Sequence, residues 1–465
     1  MLKPLSYLLI GLAAAVMPAK ERPNIILYLS DDLGYGDLGF MGHPYAKTPN
    51  LDKLAAEGTV FMQHYVAGVT CAPSRTGIMT GVAPSRFLHY PADFGYGDQP
   101  TITDILSDHG YATGHFGKWH MGVVEGEGVY SYDEAFLESN NKNDFNTASR
   151  DEPLTDKAID FIERMAAEGK PFYANVWGHS THFPVKHYPE FVDEVGDFEF
   201  KREDFDNPTI QDMFDKSLTL KEDLKDSLTQ YMADVYGMDK NLGRIVETVK
   251  RLGIAENTII VYSSDHGPAE VKVSGNKGGR EFEEHMLGYA GPLRGGKGNQ
   301  LDGGVRVPFV LWWPGKVEAG RVDTQSVTSF LDWLPTLASI TGAPGVPEQL
   351  DGQDISDVWF EGPRDRGSDL FWKVNSRTAP ISIRDGKWKF HEVRGGTPEL
   401  YDLSRDSREI NNVIADFPEV AAQFKKRLAE LKSVLPSDYI KAEKNDARAM
   451  ARAGAYNVDF SAPAF

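Results

Sequence analysis

Apolar positions along the chain gather in two kinds of run. Asn24–Ser30 (NIILYLS), Pro171–Trp177 (PFYANVW), Thr258–Ser264 (TIIVYSS) and Val307–Trp312 (VPFVLW) are short and almost continuously apolar. Runs of that length and texture are expected of strands buried on both faces of a parallel sheet. Between them, apolar residues recur at helical spacing over Asn50–Gly58, Thr101–His109, Thr155–Ala167 and Lys221–Leu252, and again over Ser326–Ile340, which closes near Gly342. Alternation of strand and helix predicts an α/β fold with helices on both faces of the sheet.

The pattern changes near Asp351–Arg366, a stretch rich in Gly, Asp and Pro. Short strand-like pieces follow, Pro380–Arg384 and Lys387–Val393, joined by Asp385-Gly386 as a hairpin turn, and then an amphipathic helix over Phe417–Leu435. These predict a smaller α+β C-terminal domain; the last twenty or so residues carry no clear pattern. At the other end, Lys3 precedes an apolar run over Leu5–Val16 and small and polar residues around Ala19 and Lys20. The run is too short to span a bilayer comfortably and has the form of a secretory signal, without a cysteine at its end to carry a lipid. The expected organisation is a signal peptide over 1–20, a catalytic domain over 21–360 and a C-terminal α+β subdomain with tail over 361–465. The protein is then secreted or periplasmic, with no stable membrane anchor.

Composition narrows the function. The 465 residues hold 68 acidic and 49 basic side chains, a formal net charge of -19. So acidic a chain is poorly suited to nucleic acid or to anionic membrane surfaces. An anionic substrate needs cations gathered locally in a pocket. The single cysteine, Cys71, excludes an intrachain disulfide.

Two of the buried runs end in acidic residues: Asn24–Ser30 at Asp31-Asp32, and Thr258–Ser264 at Asp265-His266-Gly267. Ligands of open α/β sheets bind beyond the carboxyl ends of strands. Three carboxylates and an imidazole at that edge call for a cation, and carboxylate oxygens favour a hard one, Ca²⁺ or Mg²⁺; the imidazole also suits zinc. The second constellation is Cys71-Ala-Pro-Ser-Arg75-Thr-Gly-Ile-Met-Thr80-Gly81. Pro73 fits the first turn of a helix, which puts Cys71 just before a helix N-terminus, where free N–H groups attract anions. Arg75 adds a two-pronged donor for an oxyanion.

At this segment the chain resembles the type I sulfatase family, whose modification signature is Cys-x-Pro-Ser-Arg-x-x-x-x-Thr-Gly. Further motifs carry the same resemblance: Gly110-Tyr-Ala-Thr-Gly-His-Phe-Gly117-Lys118-Trp119-His120, His182-Phe-Pro184, and Leu293-Arg-Gly-Gly-Lys297-Gly. So do Asp31-Asp32-Leu-Gly-Tyr-Gly-Asp37, Thr48-Pro-Asn-Leu-Asp52, Asp332-Trp-Leu-Pro-Thr336 and Leu400-Tyr-Asp-Leu403. Two departures stand out. Phe116 is bulkier than the residue usual there, and His266 stands where relatives often carry Asn. His182 is the preferred active-site histidine over His179.

The resemblance implies an alkaline phosphatase-like fold, a large mixed, mostly parallel sheet with a smaller α+β domain. It implies a sulfuric ester hydrolase in which Cys71 is converted to formylglycine, the conversion made by a formylglycine-generating or anaerobic sulfatase-maturing enzyme. One Ca²⁺ is then held by Asp31, Asp32, Asp265, His266 and the modified Cys71. The hydrated aldehyde attacks sulfur, with Arg75, Lys118 and Lys297 balancing charge on the sulfate oxygens. Asp265 takes the proton of the attacking hydroxyl, and His182 and Lys297 protonate the departing sugar oxygen. His120 then removes the proton that lets sulfate leave. With a secretory signal, the implied substrate is a sulfated carbohydrate of glycosaminoglycan or algal polysaccharide type. Residues Val185–Leu220 read as an insertion that either shapes sugar subsites or is a solvated excursion. Two other readings are a phosphodiesterase or phosphonate monoester hydrolase of the same superfamily, and an inactive calcium-dependent glycan-binding protein.

Overall fold

The structure, a computed structural model, describes residues 22–122, 129–137, 150–183, 185, 189–220, 223–271, 286–374 and 379–441. The expected signal segment, the patternless tail and Pro184 lie outside the described residues. An eight-stranded sheet runs in the order Arg321–Asp323, Thr59–Phe61, Phe309–Trp312, Thr258–Ser264, Asn24–Ser30, Phe172–Trp177, Ala112–Gly117, Glu134–Phe136. All neighbours are parallel except Phe309–Trp312, which is antiparallel to both of its own.

The central strand shows why the sequence reads as a continuous apolar run. Ile26 and Tyr28 point into one core, with Leu51, Phe161 and Ile245 from helices Pro49–Glu57, Glu152–Glu168 and Leu224–Arg251. Ile25, Leu27 and Leu29 point into the other, with Ile78, Leu106 and Leu334 from helices Cys71–Thr80, Ile102–Asp108 and Trp333–Thr341. Successive side chains alternate faces, and both faces are buried.

Polar groups and prolines set the boundaries that apolar periodicity does not show. The Val307–Trp312 run is interrupted at Pro308, which has no N–H for the ladder. Arg306–Val307 joins a small three-stranded sheet with His64–Tyr65 and Thr328–Ser329, and Phe309–Trp312 joins the large one. The expected helix over Ser326–Ile340 starts later, at Trp333. Thr328–Ser329 is strand, and Ser329 forms a capping box with Asp332. The long helix begins at Leu224, where the Asp223 carboxylate caps Asp226 N–H at 2.9 Å.

The C-terminal part holds a four-stranded antiparallel sheet, Leu370–Lys373, Ile381–Asp385, Trp388–His391 and Glu399–Asp402, covered by helix Pro418–Val434. Phe371, Ile383, Phe390, Leu400, Phe424 and Leu428 fill its core. Residues 189–220 are not a solvated excursion. They form helices Pro189–Val195 and Pro208–Thr219, and they bury Phe191, Val195, Phe205, Ile210, Met213 and Phe214 in the large core. No helix among the described residues is long and apolar enough to cross a membrane.

Candidate active site

The adjacent central strands Asn24–Ser30 and Thr258–Ser264 are in register, Ser30 opposite Ser264. The residues that follow them therefore leave the sheet side by side. Asp265 N–H donates to Ser30 O at 3.1 Å, and Asp31 N–H donates to Ser180 O at 2.9 Å, just beyond the next strand, Phe172–Trp177. Asp31, Asp32, Asp265 and His266 are all at most 1% exposed. Asp32 holds a left-handed backbone, φ 65°, which costs a non-glycine residue about 1–3 kcal/mol and is typical of functional sites.

Cys71 approaches from the opposite side. It is the first residue of the Cys71–Thr80 helix rather than the residue before it, because Thr70 supplies the extended cap position. Pro73 is tolerated in that first turn, where its missing N–H has no helical acceptor. Cys71 and Arg75, four apart, share one face of this fully buried helix. The Cys71 Sγ lies 3.4 Å from Asp31 Oδ1, 3.2 Å from His266 Nε2, 3.5 Å from Lys118 Nζ and 3.6 Å from Lys297 Nζ. Burial and the Asp31 charge push its thiol well above the ordinary range, so an unmodified Cys71 is a poor nucleophile.

Three cations face the carboxylates. Arg75 donates from Nε and a terminal nitrogen to Asp265 Oδ2 at 3.0 and 2.9 Å, donates to Lys118 O at 2.7 Å, and stacks 5.1 Å from the Trp177 ring centre. Lys118 pairs with Asp31, and Lys297 with Asp32 at 2.6 Å. Burial alone would raise the Asp31 carboxyl, but Lys118, His182 and Arg75 outweigh it and hold it well below the usual carboxylate range. Burial would likewise lower Lys297, and Asp32 outweighs it, so the lysine keeps its proton. Lys118 is delivered by Gly117, whose φ is 110° and whose Cα lies so close to Trp177 O that a Cβ there would sit 2.1 Å away. Phe116, the bulky residue before it, is fully buried against Phe161, with Gly114 leaving room for its ring.

His182 stands at the edge of this cluster, its Nε2 3.8 Å from Asp32 Oδ2 and its Nδ1 2.6 Å from Phe183 O. Burial lowers its pKa despite Asp31 and Asp32. His179 is buried behind it, its N–H bonded to Asp151. His120 is brought least close. It is exposed, holds φ 65°, and makes no hydrogen bond to the other site residues among those described. Desolvation and the Lys118 and Arg75 charges keep its imidazole below the ordinary value.

The donor set, two carboxylates, an imidazole and the Cys71 sulfur, can hold a divalent metal ion. Ligand atoms of Asp31, Cys71, Asp265 and His266 all lie within 4.8 Å of one another. His266 Nδ1 is 2.8 Å from Gly267 O and its Nε2 is 3.1 Å from Asp32 Oδ1; with the proton on Nδ1, the Nε2 lone pair is turned to the carboxylates, as a ligand to a shared cation is. Asp151 carries no motif, so sequence reading passes over it. Its carboxylate receives His179 N–H at 2.7 Å and Ser180 N–H at 3.2 Å, which shapes the turn carrying His182. A lone Asp before a helical stretch reads as an ordinary cap.

The Sulfatase family model matches residues 23–343, and a second, N-sulphoglucosamine sulphohydrolase, C-terminal, matches residues 297–434. Arylsulfatase A of Homo sapiens is 30% identical over 92% of this chain and 91% of its own length. N-acetylgalactosamine-6-sulfatase of Canis lupus familiaris is 30% identical over 76% of this chain and 68% of its own. Among solved structures, Ps i-CgsB in complex with k-i-k-neocarrahexaose superposes with a TM-score of 0.75 at 23% identity, covering 93% of this chain and 98% of that one.

Proposed function

The chain belongs to the sulfatase family, and we propose that it removes sulfate from a sulfated carbohydrate of glycosaminoglycan or algal polysaccharide type, with Cys71 as formylglycine and Ca²⁺ at the joined strand ends. The observation that carries this is the convergence on one buried sulfur of two lysines, an imidazole and a carboxylate, with Arg75 braced behind them. The relative named as an N-acetylgalactosamine-6-sulfatase supports a carbohydrate substrate. Cys71 is 3% exposed and helical, so the maturing enzyme must act before this segment is packed. The 1–20 segment is the proposed secretory signal.

Formylglycine at position 71 would supply the attacking hydroxyl, and a cation, which Asp31, Asp32, Asp265 and His266 would hold, would supply Lewis-acid polarisation of the sulfate. Arg75, Lys118 and Lys297 present positive charge to the remaining sulfate oxygens. Asp265 accepts the proton of the attacking hydroxyl. His182 Nε2 and Lys297 Nζ both face the Asp32 carboxylate. Lys297, which keeps its proton, gives one to the departing sugar oxygen, and His182 does so only as its imidazolium, because in the neutral ring the proton sits on Nδ1 against Phe183 O. His120, on the exposed rim, takes the proton whose loss returns the aldehyde.

Release of sulfate from a panel of sulfated mono- and oligosaccharides tests the reading. Faster hydrolysis of phosphonate monoesters than of any sulfate ester would reject it. Chelation is expected to abolish turnover and Ca²⁺ to restore it best; full recovery with zinc alone would contradict the hard-cation assignment. His182→Ala is expected to lose about 10²–10⁴-fold in kcat/KM on a sulfated sugar and much less on nitrophenyl sulfate, whose leaving group departs unaided. Equal losses on both substrates would make His182 a sulfate-binding residue.

A further inference from the structure

A fully buried charged cluster lies away from the reacting centre, where the C-terminal sheet meets the loop that carries Lys297. Asp302, Lys389 and Glu409 are each 0% exposed. Lys389 Nζ lies 2.6 Å from Asp302 Oδ1 and 3.1 Å from Glu409 Oε1, and His391 Nε2 lies 2.7 Å from the same Glu409 oxygen. Buried ion clusters are weak sources of net stability, since desolvation offsets much of their attraction. What distinguishes this one is what it grips.

Glu409 holds both ends of the Lys297 loop. Its backbone O accepts from Arg294 at 2.7 Å, and its Oε2 accepts from the Asp302 N–H at 2.6 Å. The two ends are closed on each other by Gly303 N–H to Arg294 O at 2.8 Å. At the crest, Lys297 N–H donates to Pro268 O at 2.8 Å and Gly298 N–H to Val69 O at 2.7 Å. These tie the crest to the turn after Asp265-His266 and to the residues leading into Cys71. From the far side, Asn207 Nδ2 donates to Gly291 O and Leu293 O at 2.6 and 2.7 Å, and Thr209 Oγ1 accepts from Gly295 N–H at 3.2 Å. Gly295, Gly296 and Gly298 surround Lys297, so the loop has little stiffness of its own. Its shape is imposed from outside.

We propose that Glu409 is a positioning residue for Lys297: the C-terminal subdomain, through Glu409, sets the loop that aims the lysine Nζ at Asp32 and Cys71. The inference rests on the sulfatase reading above, in which Lys297 touches the sulfate and the leaving oxygen. It gives the small domain a part in the chemistry, because a misplacement of about 1 Å in a reacting group can cost about 10²-fold in rate.

A double-mutant cycle on the full chain tests it: Glu409→Gln, Lys297→Ala and the pair, with kcat and KM measured on nitrophenyl sulfate and a sulfated sugar. Glu409→Gln keeps shape but leaves one acceptor oxygen where the carboxylate uses two, so an amide N–H₂ faces either the Asp302 N–H or the Lys389 and His391 pair and the grip on the loop is loosened. It is expected to lower kcat about tenfold or more in the wild-type background, with KM changing less, and to add nothing once Lys297 is alanine. A merely structural residue would lower activity equally in both backgrounds, and that result overturns the proposal, as does a folded Glu409→Gln enzyme with unchanged kcat. If Glu409→Gln does not fold, Arg294→Ala takes its place in the cycle, since Arg294 is exposed and its loss cuts only the outer half of the clamp. Wild-type turnover separates the two levels: absence of sulfate-ester hydrolysis defeats the sulfatase reading and this inference together, whereas active wild type with additive losses defeats this inference alone.

Discussion

Cys71→Ala is expected to lose sulfate-ester turnover by about 10⁴-fold or more while remaining folded, because removal of a nucleophile eliminates the covalent route and leaves only binding and electrostatic assistance. The residue is small and is the first of a ten-residue buried helix, and alanine suits that position. Its sulfur also stands among groups that disfavour the thiolate, so the substitution strands no ion pair. Arg75, Lys118 and Lys297 keep their carboxylate partners in the variant. Sulfate release on aryl and sugar substrates, with thermal melting as the control for folding, checks the expectation. Retention of more than a few percent of activity by a folded variant would remove Cys71 from the nucleophile role.

Arg75→Ala is expected to damage both function and fold. Arg75 is fully buried, bonded twice to Asp265 Oδ2, 3.7 Å from Asp31 Oδ1 and stacked on Trp177. Taking one partner from a buried ion pair leaves the other uncompensated, at a cost of about 3–5 kcal/mol. Loss of an oxyanion donor adds about 10²–10³-fold in kcat, on aryl and sugar sulfates alike, because the charge it meets is on the sulfate and not on the leaving group. Arg75→Lys keeps charge without the fork, and should recover more stability than activity. Denaturant unfolding and kcat/KM on both substrates measure the two effects. An Arg75→Ala enzyme with unimpaired nitrophenyl sulfate hydrolysis would contradict the assignment.

How far the sequence could be read depends on which interactions are local. The buried strands at Asn24–Ser30 and Thr258–Ser264 announce themselves because both faces of each are covered by apolar neighbours. Their acidic ends were visible for the same reason: the apolar run stops there. That the two ends lie side by side is a matter of register, supplied by the ladder from Asn24↔Thr258 to Ser30↔Ser264. Ala112–Gly117 was legible as a motif but not as a strand, since Gly114 and Gly117 break its apolar texture; its pairing with Phe172–Trp177 makes it one. Thr59–Phe61, Glu134–Phe136 and Arg321–Asp323 are three residues each, too short for any periodicity to emerge. The 185–220 stretch looked like surface because its aromatics are interleaved with charges, yet Phe205 closes on both Phe214 and Tyr289 inside the core. Asp151, Asp302 and Glu409 went unseen as functional groups because the bonds by which they shape the His182 turn and the Lys297 loop join residues 28, 107 and 115 apart, and nothing in their immediate sequence marks those contacts.

The most direct measurement is peptide mass spectrometry of the segment containing Cys71, taken from enzyme whose specific activity is known. The expected result is a formylglycine peptide whose fraction tracks activity from one preparation to another. Fully active enzyme carrying only the thiol form of Cys71 would contradict the central claim.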